Sequence, residues 1–452
     1  MGYPIWDPGI GGPLLMALVA VTHVIVSHFA IGGGLLIVVT ETVAARRNDR
    51  ELRELARRSS LVLILVSTVF GAISGVGIWV VAGLVAPATI SALIHNYVWG
   101  WAIEWVFFIV EIVAALIYYT TWGRISKATH LMIGWIYFGA AYLSLVIING
   151  IITFMLTPGQ WLTTHAFWAG FFNPTYWPSL VLRSGIALMM AVAFMAVVAT
   201  RSAAASRPSQ MRFLGWWMTA GVLVTYAGYR WWEAALPDTV RALFLGDSPG
   251  LAALADTRHF TLWALAATLV LGVLLLLALP RLARVVPLLL LMVAAFASFA
   301  GYERLREGIR KPYLIHSYMF SNGLYVDQVD DINQSGVLAV SGWAARQADD
   351  DPVATGRQVF RAQCASCHTL DGYQGIRPLL PDDPDMITGV LFALYEMGEA
   401  WTDAAPGTLV VTADLDYAFM PPFVGTEEEL MALAEYLGSL VGDGPGGSGG
   451  EK

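Results

Sequence analysis

The residues with the clearest chemistry are Cys364, Cys367 and His368, in the run Cys-Ala-Ser-Cys-His. In such a run the two thiols add to the vinyl groups of a haem, and the histidine that follows is brought to the iron. The chain has only two cysteines, so these thiols cannot belong to a disulfide framework, an iron–sulfur cluster or a cysteine-rich zinc site. The motif therefore predicts one covalently attached haem c.

A second iron ligand for this haem is expected on the opposite face. Met420 lies in the run Met-Pro-Pro-Phe, where two prolines stiffen the chain around a thioether sulfur. Ligation by His and Met raises the reduction potential of a haem. Met386 and Met397 are the competing thioethers and have no comparable flanking residues. We predict His368 and Met420 as the two iron ligands.

A second group of ionisable residues lies within strongly apolar stretches. Its members are His23, His28, Glu104, Glu111, Arg183, Glu303, Glu307 and Arg310. A charge at the centre of a bilayer costs about 2.5–3.5 kcal/mol on the insertion scale, so each calls for a partner or a function. Glu104 and Glu111 are two helical turns apart, about 10.5 Å along one face. The set suits haem irons and propionates, or interhelical hydrogen bonds that hold a transporter together.

The stretches that carry these residues are membrane spans. The chain is 57% hydrophobic and 13% charged, against about 25% charged residues in soluble domains, which excludes a soluble enzyme. A net charge of −8 argues against a nucleic-acid partner. Eight stretches are long enough for a bilayer. They are 13–43, 60–86, 96–122, 131–157, 178–200, 213–229, 259–279 and 285–302.

Basic residues indicate the orientation of these spans. The loops after spans 1, 3, 5 and 7 carry Arg or Lys, whereas the alternate connections carry almost none. Basic loops stay in the cytoplasm, so we expect the N-terminus outside and, with an even number of spans, the C-terminus outside as well. Haem c is attached on the outer side of a bacterial cytoplasmic membrane, which independently predicts the same location for the C-terminal domain.

The sequence thus predicts an all-α protein, a bundle of eight transmembrane helices followed by a class I cytochrome c domain. The expected divisions are a haem-binding bundle at 1–312, a polar linker at 313–350, a cytochrome c domain at 351–442 and a disordered tail at 443–452. Acidic residues of the cytochrome c domain would attract a basic soluble donor, although solubility explains them equally well.

Over about residues 10–315 the chain resembles subunit I of the cytochrome bd oxygen reductases. The resemblance rests on His23, Gly32 and Glu41-Thr42 in span 1, Gly71–Gly77 in span 2, Ala102-Ile103-Glu104 and Phe107 to Glu111 in span 3, Lys127 to His130 and Asn149-Gly150 around span 4, and Glu307 to Tyr313 at span 8. Singly these matches are weak, but together they are specific.

The resemblance implies particular roles for five residues. His23 and Glu307 would be axial ligands of a paired high-spin haem b and haem d, or a second haem b. Glu104 would lie at the oxygen site, Glu111 on a proton path to it, and Arg310 beside the propionates. The resemblance also implies a second membrane subunit and oxygen as the substrate.

The chain departs from this family at the low-spin haem b. Arg183 stands where the family has the histidine ligand of this haem in span 5. Phe260, next to His259, stands where the family has the methionine ligand in span 7. The quinol-binding loop is reduced to about 230–258, and the last span is missing. We interpret these changes together: a haem c, supplied by a soluble cytochrome c or another one-electron donor, replaces the quinol site and its low-spin haem.

The remaining histidines have mostly structural interpretations. We expect His28 to pack within the bundle, His95 and His165 to be solvated, and His316 to support the haem c domain. His130 matches the family at the cytoplasmic end of span 4, where a role in proton uptake is one interpretation.

Three functions fit these observations. The first is a terminal oxidase that passes electrons through haem c to a buried dihaem site. The second is a membrane cytochrome, linked to quinol or a dehydrogenase, that exports electrons through haem c without oxygen chemistry. The third is a scaffold for assembly or docking that has lost its membrane haems.

Overall fold

The computed structural model describes residues 4–243, 249–348, 351–402 and 419–441. The described chain is mostly helical, and its longest helices precede residue 309. They are α1 (Gly12–Arg47), α2 (Arg50–Val85), α3 (Pro87–Thr120), α4 (Lys127–Leu156), α5 (Tyr176–Ala199), α6 (Arg207–Ala235), α7 (Leu251–Ala278) and α8 (Val285–Gly308).

Seven of these helices are long and apolar enough to cross a membrane, which makes the chain an integral membrane protein. The exception is α6, which has 29 residues but contains Arg212, Arg230 and Glu233 together with several Trp, Tyr and Gly residues. Its length suits a span, whereas its hydropathy falls short. The total of eight spans and the outward N-terminus therefore stay predictions.

Two helices begin earlier than the apolar runs within them. Helix α2 starts at Arg50, because the Asp49 carboxylate caps it by accepting a hydrogen bond of 2.9 Å from the Leu52 amide. Helix α3 starts at Pro87 and kinks at Tyr97, where φ is −130° and ψ is 31°. The predicted third span thus begins at a bend within a longer helix.

Residues 20–76 and 96–309 form one compact unit. Its central helix is α5, in which 67% of an apolar stretch of 18 residues is buried. Backbones approach closely here: a Cβ on Gly32 would overlap the Ala187 carbonyl oxygen, and one on Gly185 would lie 2.5 Å from the Thr225 amide nitrogen. Small residues allow this packing in membranes, where apolar helices gain little from burial alone.

Residues 1–19, 77–95 and 310–452 form the other unit. Strands β1 (Tyr313–Ile315) and β2 (Met319–Phe320) pair antiparallel within it, so the all-α prediction is corrected by this small sheet. The segment predicted as a polar linker is also packed: Phe320, Val337 and Trp343 are buried in the hydrophobic cluster of the C-terminal part. The apolar residues of this segment are too widely spaced for the sequence to identify them as part of a hydrophobic core.

Three helices form the framework of the C-terminal part. They are α9 (Pro352–Gln363), α10 (Pro384–Thr402) and α11 (Glu427–Val441). Leu433 and Leu437 of α11 face the same buried cluster as Val359 and Phe360 of α9. Asp349 and Asp350, two of the acidic residues expected to attract a basic donor, lie outside the described residues, as does the predicted tail at 443–452.

The N-terminal segment packs against the C-terminal part within this unit. The Trp6 amide donates to the Leu84 carbonyl at 2.9 Å, and Ile5 contacts the hydrophobic cluster. A Cβ on Gly372 would lie 2.6 Å from the Gly9 carbonyl oxygen. The segment at 5–11 therefore lies against the loop that follows His368.

Candidate haem sites

The Cys-Ala-Ser-Cys-His run forms a tight turn at the end of α9. The helix ends at Cys364, whose carbonyl accepts hydrogen bonds from the amides of Cys367 at 3.0 Å and His368 at 2.8 Å. Both thiols are half-buried. Burial, reinforced by the neighbouring Cys367, raises the pKa of the Cys364 thiol to about 12. The turn brings the two sulfur atoms and the imidazole into one short segment, as attachment of a haem c requires.

The His368 imidazole is oriented for binding through one nitrogen. Its Nδ1 donates to the Gln374 carbonyl oxygen at 3.0 Å, so the proton is on Nδ1 and the lone pair on Nε2. Burial lowers the pKa of His368, which favours the neutral form that a metal requires. Fixing the ring through its outer nitrogen is the usual way in which proteins orient an iron-bound histidine.

The loop that carries Met420 is fastened to α9. The Gln363 side chain donates to the Val424 carbonyl at 2.7 Å and accepts from the Val424 amide at 3.0 Å. Gln363 directly precedes Cys364, so the methionine loop and the cysteine turn share one anchor. This pair was not predicted, because a single Gln before a Cys carries no recognisable signal.

The three methionines differ in their surroundings. Met420 is half-buried beside the hydrophobic cluster, whereas Met397 is 3% exposed within that cluster. Met386 is 59% exposed. A half-buried sulfur on an anchored loop is what a haem ligand needs, so the residues fit a haem c with His368 and Met420 as ligands.

In the unit formed by residues 20–76 and 96–309, His23 of α1 is held by α2. The Ser74 hydroxyl donates to the Phe70 carbonyl at 2.5 Å and lies 3.1 Å from His23 Nδ1. Since the only hydrogen of Ser74 is already donated, His23 Nδ1 is the donor and Nε2 carries the lone pair. A Cβ on Gly75 would lie 3.1 Å from the His23 ring. His23 is thus oriented for a metal, and its partner Ser74 was not predicted.

Glu104 and Glu111 each face α4. The Ser144 hydroxyl donates to Glu104 at 2.9 Å, and the Tyr137 hydroxyl donates to Glu111 at 3.2 Å. Both carboxyl groups are half-buried. The predicted face of α3 is confirmed by these contacts, while the partner residues on α4 were not predicted.

Arg183 begins a row of alternating charges between α5 and α8. Its Nη2 lies 2.7 Å from a Glu303 oxygen, and Arg306 lies 3.0 Å from the other Glu303 oxygen. Arg306 continues to Glu307 at 2.6 Å. The Arg183 side chain is 2% exposed. The structure pairs it with the Glu303 carboxylate.

The space beside Arg183, between α5, α6, α7 and α8, is filled by side chains. Tyr229 and Tyr302 are buried there, with exposures of 2% each. They line a cavity of about 10 Å³, which is room for a single water molecule. A low-spin haem between α5 and α7 does not fit this packing.

The α7 positions near Arg258 point away from that space. Phe260 is 53% exposed and His259 is also exposed, whereas Thr257 and Thr261 face inward. Neither Phe260 nor its neighbour His259 is placed to supply a second ligand opposite Arg183. The expected absence of a low-spin haem stays a prediction.

The remaining sequence-predicted residues have local partners. Glu307 is 44% exposed. Arg310 is buried, and its guanidinium donates to the Leu314 carbonyl at 2.7 Å; its predicted contact with propionates stays a prediction. His28 is buried against Phe299, with ring centroids 4.6 Å apart, and His95 and His165 are exposed, as expected.

The family model described as "Cytochrome bd terminal oxidase subunit I" matches residues 14–229. The chain also has the fold of a solved structure, the bd oxidase from Geobacillus thermodenitrificans, with a TM-score of 0.57 and 16% identity over 70% of this chain and 90% of that chain. The first part of the chain is therefore similar to cytochrome bd subunit I in sequence and in fold. The predicted resemblance is confirmed.

The C-terminal part matches a different family of cytochromes. The model described as "Cytochrome C oxidase, cbb3-type, subunit III" covers residues 351–437, which include the cysteine turn and Met420. No protein with a curated description matches the chain. The chain thus combines a part similar to cytochrome bd subunit I with a part similar to a cytochrome c subunit, and both similarities imply haem binding.

The subunit I match ends within α6, so α7 and α8 lie beyond it. The roles of Glu307 and Arg310 therefore depend on the short resemblance at the end of α8. His23, Glu104 and Glu111 lie inside the matched region. Their assignment as site residues has the stronger basis.

Proposed function

We propose that this chain is the haem-bearing subunit of a respiratory oxygen reductase that takes electrons through its own haem c and not from quinol. The proposal combines the cytochrome bd subunit I domain with the fused cytochrome c domain. The observation that carries it is the ion pair of Arg183 and Glu303, which occupies the place of the low-spin haem ligand. A quinol-oxidising enzyme of this family depends on that haem.

The proposed cofactors are one haem c, one high-spin haem b, and either a haem d or a second haem b. When bound, these groups carry electrons one at a time and provide an open iron face for oxygen. His23 Nε2 would ligate one iron, and the Glu307 carboxylate, which also pairs with Arg306, would ligate the other. His368 and Met420 would ligate the haem c iron.

The protein itself must supply protons, since each oxygen molecule takes up four electrons and four protons to give two waters. A carboxyl group in a poorly solvated site exchanges protons near neutral pH more readily than one in water. Glu111, hydrogen-bonded to Tyr137, is the proposed relay. Glu104, hydrogen-bonded to Ser144, is the proposed donor closest to the oxygen site.

Partners follow from the same proposal. A second membrane subunit would cover part of the apolar surface of the subunit I domain, and a soluble cytochrome c or another one-electron donor would meet the haem c domain. That domain would lie on the outer side of the bacterial cytoplasmic membrane, and the protons would come from the cytoplasm.

The decisive experiment compares electron donors in the purified complex. Cyanide-sensitive oxygen uptake should be supported by a reduced soluble cytochrome or an artificial one-electron donor, and not by quinol. Acid–acetone extraction should release non-covalent haem and leave haem c on the chain. The reduced-minus-oxidised spectrum should lack a low-spin haem b band.

Three outcomes would reject the proposal. Quinol-dependent reduction with a low-spin haem b would indicate a membrane electron-transfer cytochrome. Covalent haem as the sole haem would indicate a scaffold. A fully haem-loaded complex that consumes no oxygen would exclude a terminal oxidase.

A further inference from the structure

Every backbone amide hydrogen of residues 421–426, the stretch that follows Met420, is hydrogen-bonded. Two prolines at 421 and 422 have no amide hydrogen, and the next four amides donate to four different acceptors. These contacts run from Phe423 to the Leu394 carbonyl at 3.1 Å, from Val424 to Gln363 at 3.0 Å, from Gly425 to Asn333 at 2.9 Å, and from Thr426 to Glu429 at 3.3 Å. Residues 420–426, the methionine loop, are thus fastened to four separate segments of the chain.

Glu429 joins this loop to a segment that is distant from it in the sequence. Its carboxylate also accepts the Val337 amide at 2.7 Å and the Leu338 amide at 2.9 Å. Its own amide donates to the Thr426 hydroxyl at 3.2 Å, which completes a capping box at the start of α11. The residue is 9% exposed. One buried carboxylate therefore holds three amides, one in the methionine loop and two at residues 337 and 338.

Two glycines let the Glu429 carboxylate come this close to the backbone. A Cβ on Gly336 would lie 2.6 Å from one carboxylate oxygen, and a Cβ on Gly425 would lie 2.5 Å from the other. Gly336 also has a φ of +89°, which residues with a side chain rarely adopt. The carboxylate and the two backbone segments are therefore closely fitted to one another.

The segment that contacts the loop is itself fixed in the hydrophobic core. Ile332 and Val337 are 1% and 0% exposed within the cluster of the C-terminal part, and Asn333, which accepts the Gly425 amide, lies between them in the sequence. This segment precedes residues 351–437, which match the cytochrome family model. The methionine loop of this chain is thus supported by residues outside the matched region.

We propose that Asn333 and Glu429 are positioning residues that keep Met420 on the haem c iron and so keep small ligands off it. The proposal rests on the ligation of haem c by Met420, which is part of the proposed function. A ligand on a loop leaves the iron when the loop moves, and movement of this loop would break its hydrogen bonds to buried acceptors. Because unsatisfied polar groups away from water are unfavourable, the contacts favour the position in which the thioether is bound.

Retention of Met420 is important in an oxygen reductase of the proposed kind. A haem iron that loses its sixth ligand offers an open position to oxygen, cyanide or imidazole. Electrons held at haem c would then be exposed to oxygen before they reach the membrane haems. A firmly held thioether keeps haem c an electron carrier and leaves oxygen binding to the dihaem site.

Paired variants separate these hydrogen bonds from general stability. Asn333→Leu removes the acceptor of the Gly425 amide with little change in side-chain size, whereas Asn333→Asp keeps an acceptor oxygen and serves as the rescue. Glu429→Gln replaces one carboxylate oxygen by an amide group, so at least one of its three amide contacts is lost. Glu428→Gln is the matched control, because Glu428 is exposed in the same first turn of α11.

The assay is a titration of the oxidised holo-complex with imidazole, which competes with Met420 for the haem c iron. The readout is loss of the near-infrared charge-transfer band of ferric haem with a thioether ligand, to which the membrane haems, with no thioether among their proposed ligands, do not contribute. We expect the apparent imidazole affinity to rise about fivefold in Asn333→Leu, which loses a neutral hydrogen bond. It should rise about tenfold in Glu429→Gln, which loses a charge-assisted one. Asn333→Asp and Glu428→Gln should bind imidazole as the wild type does.

The results distinguish this proposal from the proposed ligation by Met420. If Asn333→Leu and Glu429→Gln bind imidazole within about twofold of the wild type, these residues do not position Met420 and the proposal is wrong. If Asn333→Asp behaves like Asn333→Leu, the hydrogen bond is not the cause, which also rejects it. If Glu429→Gln does not accumulate, the two Asn333 variants decide the question. A wild-type complex without the thioether band would instead show that Met420 is not the ligand, and the proposed ligand set would fail together with this proposal.

Discussion

Arg183 and Glu303 form an ion pair of 2.7 Å inside the subunit I domain, with side-chain exposures of 2% and 17%. A guanidinium thus occupies the place at which the family has a haem ligand, and a carboxylate from α8 balances its charge. The tyrosines packed beside the pair leave space for only one water molecule. In the proposed function, this ion pair between α5 and α8 takes the place of a haem ligand.

Removing one partner of this pair should be costly. Arg183→Gln leaves Glu303 buried with Arg306 as its remaining partner, and breaking a buried ion pair in this way costs about 3–5 kcal/mol. We expect a clearly lower thermal midpoint in detergent. In Arg183→Gln with Glu303→Gln the loss should be smaller than the sum of the two single losses. Additive losses would show that the pair contributes no coupling energy.

Restoring the family's ligand types should not restore the low-spin haem. Arg183→His combined with Phe260→Met supplies both, but Phe260 is 53% exposed and Tyr229 and Tyr302 fill the space. The reduced-minus-oxidised spectrum should therefore match that of the parent protein. A new low-spin haem b band would contradict the view that packing excludes this haem.

Met420 should control the potential of haem c. Met420→Leu removes the thioether, and loss of Met ligation lowers the reduction potential, which a redox titration of the covalent haem would detect. Met386→Leu is the control, since that side chain is 59% exposed, and it should leave the potential unchanged. An equal effect of both variants would reject Met420 as the ligand.

His316 should make the C-terminal part less stable in acid. Burial lowers the pKa of His316 from 6.5 to about 4, so between these pH values the unfolded chain binds a proton that the folded chain does not. Stability is therefore complete above about pH 6.5 and falls by up to about 3 kcal/mol as the pH approaches 4. Denaturant titrations followed by haem c absorption should show this slope.

The matched variant for this prediction is His316→Asn, which removes the titrating ring and should flatten the slope between pH 6.5 and 4. His165→Asn changes an exposed residue and should leave it unchanged. A wild-type stability that stays constant over this range would mean that His316 is protonated in the folded protein.

The sequence predicted the site residues best where they are adjacent to one another in the chain. Cys364, Cys367 and His368 form a local motif, and seven of the eight expected spans follow from hydropathy alone. The contacts of Glu104 and Glu111 were only half predictable: their spacing indicated a shared face, but Ser144 and Tyr137 lie on another helix. Because these helices are apolar on every side, hydropathy cannot indicate how each one is rotated.

Contacts between distant segments were least predictable. Gln363 anchors Val424 across sixty-one positions, and Ser74 orients His23 across fifty-one; neither Gln nor Ser is unusual at such sites. The packed residues between 313 and 348 were also missed, because buried apolar side chains there alternate with polar ones at no regular period. Tertiary packing, and not local propensity, determines all three.

The segment at 5–11, which packs against the loop at 369–372, has a consequence for biosynthesis. Its contacts with that loop can form only after the cytochrome c domain has been translated, because the loop follows the whole membrane bundle in the sequence. Folding of the cytochrome c domain is therefore needed to complete the packing of this segment.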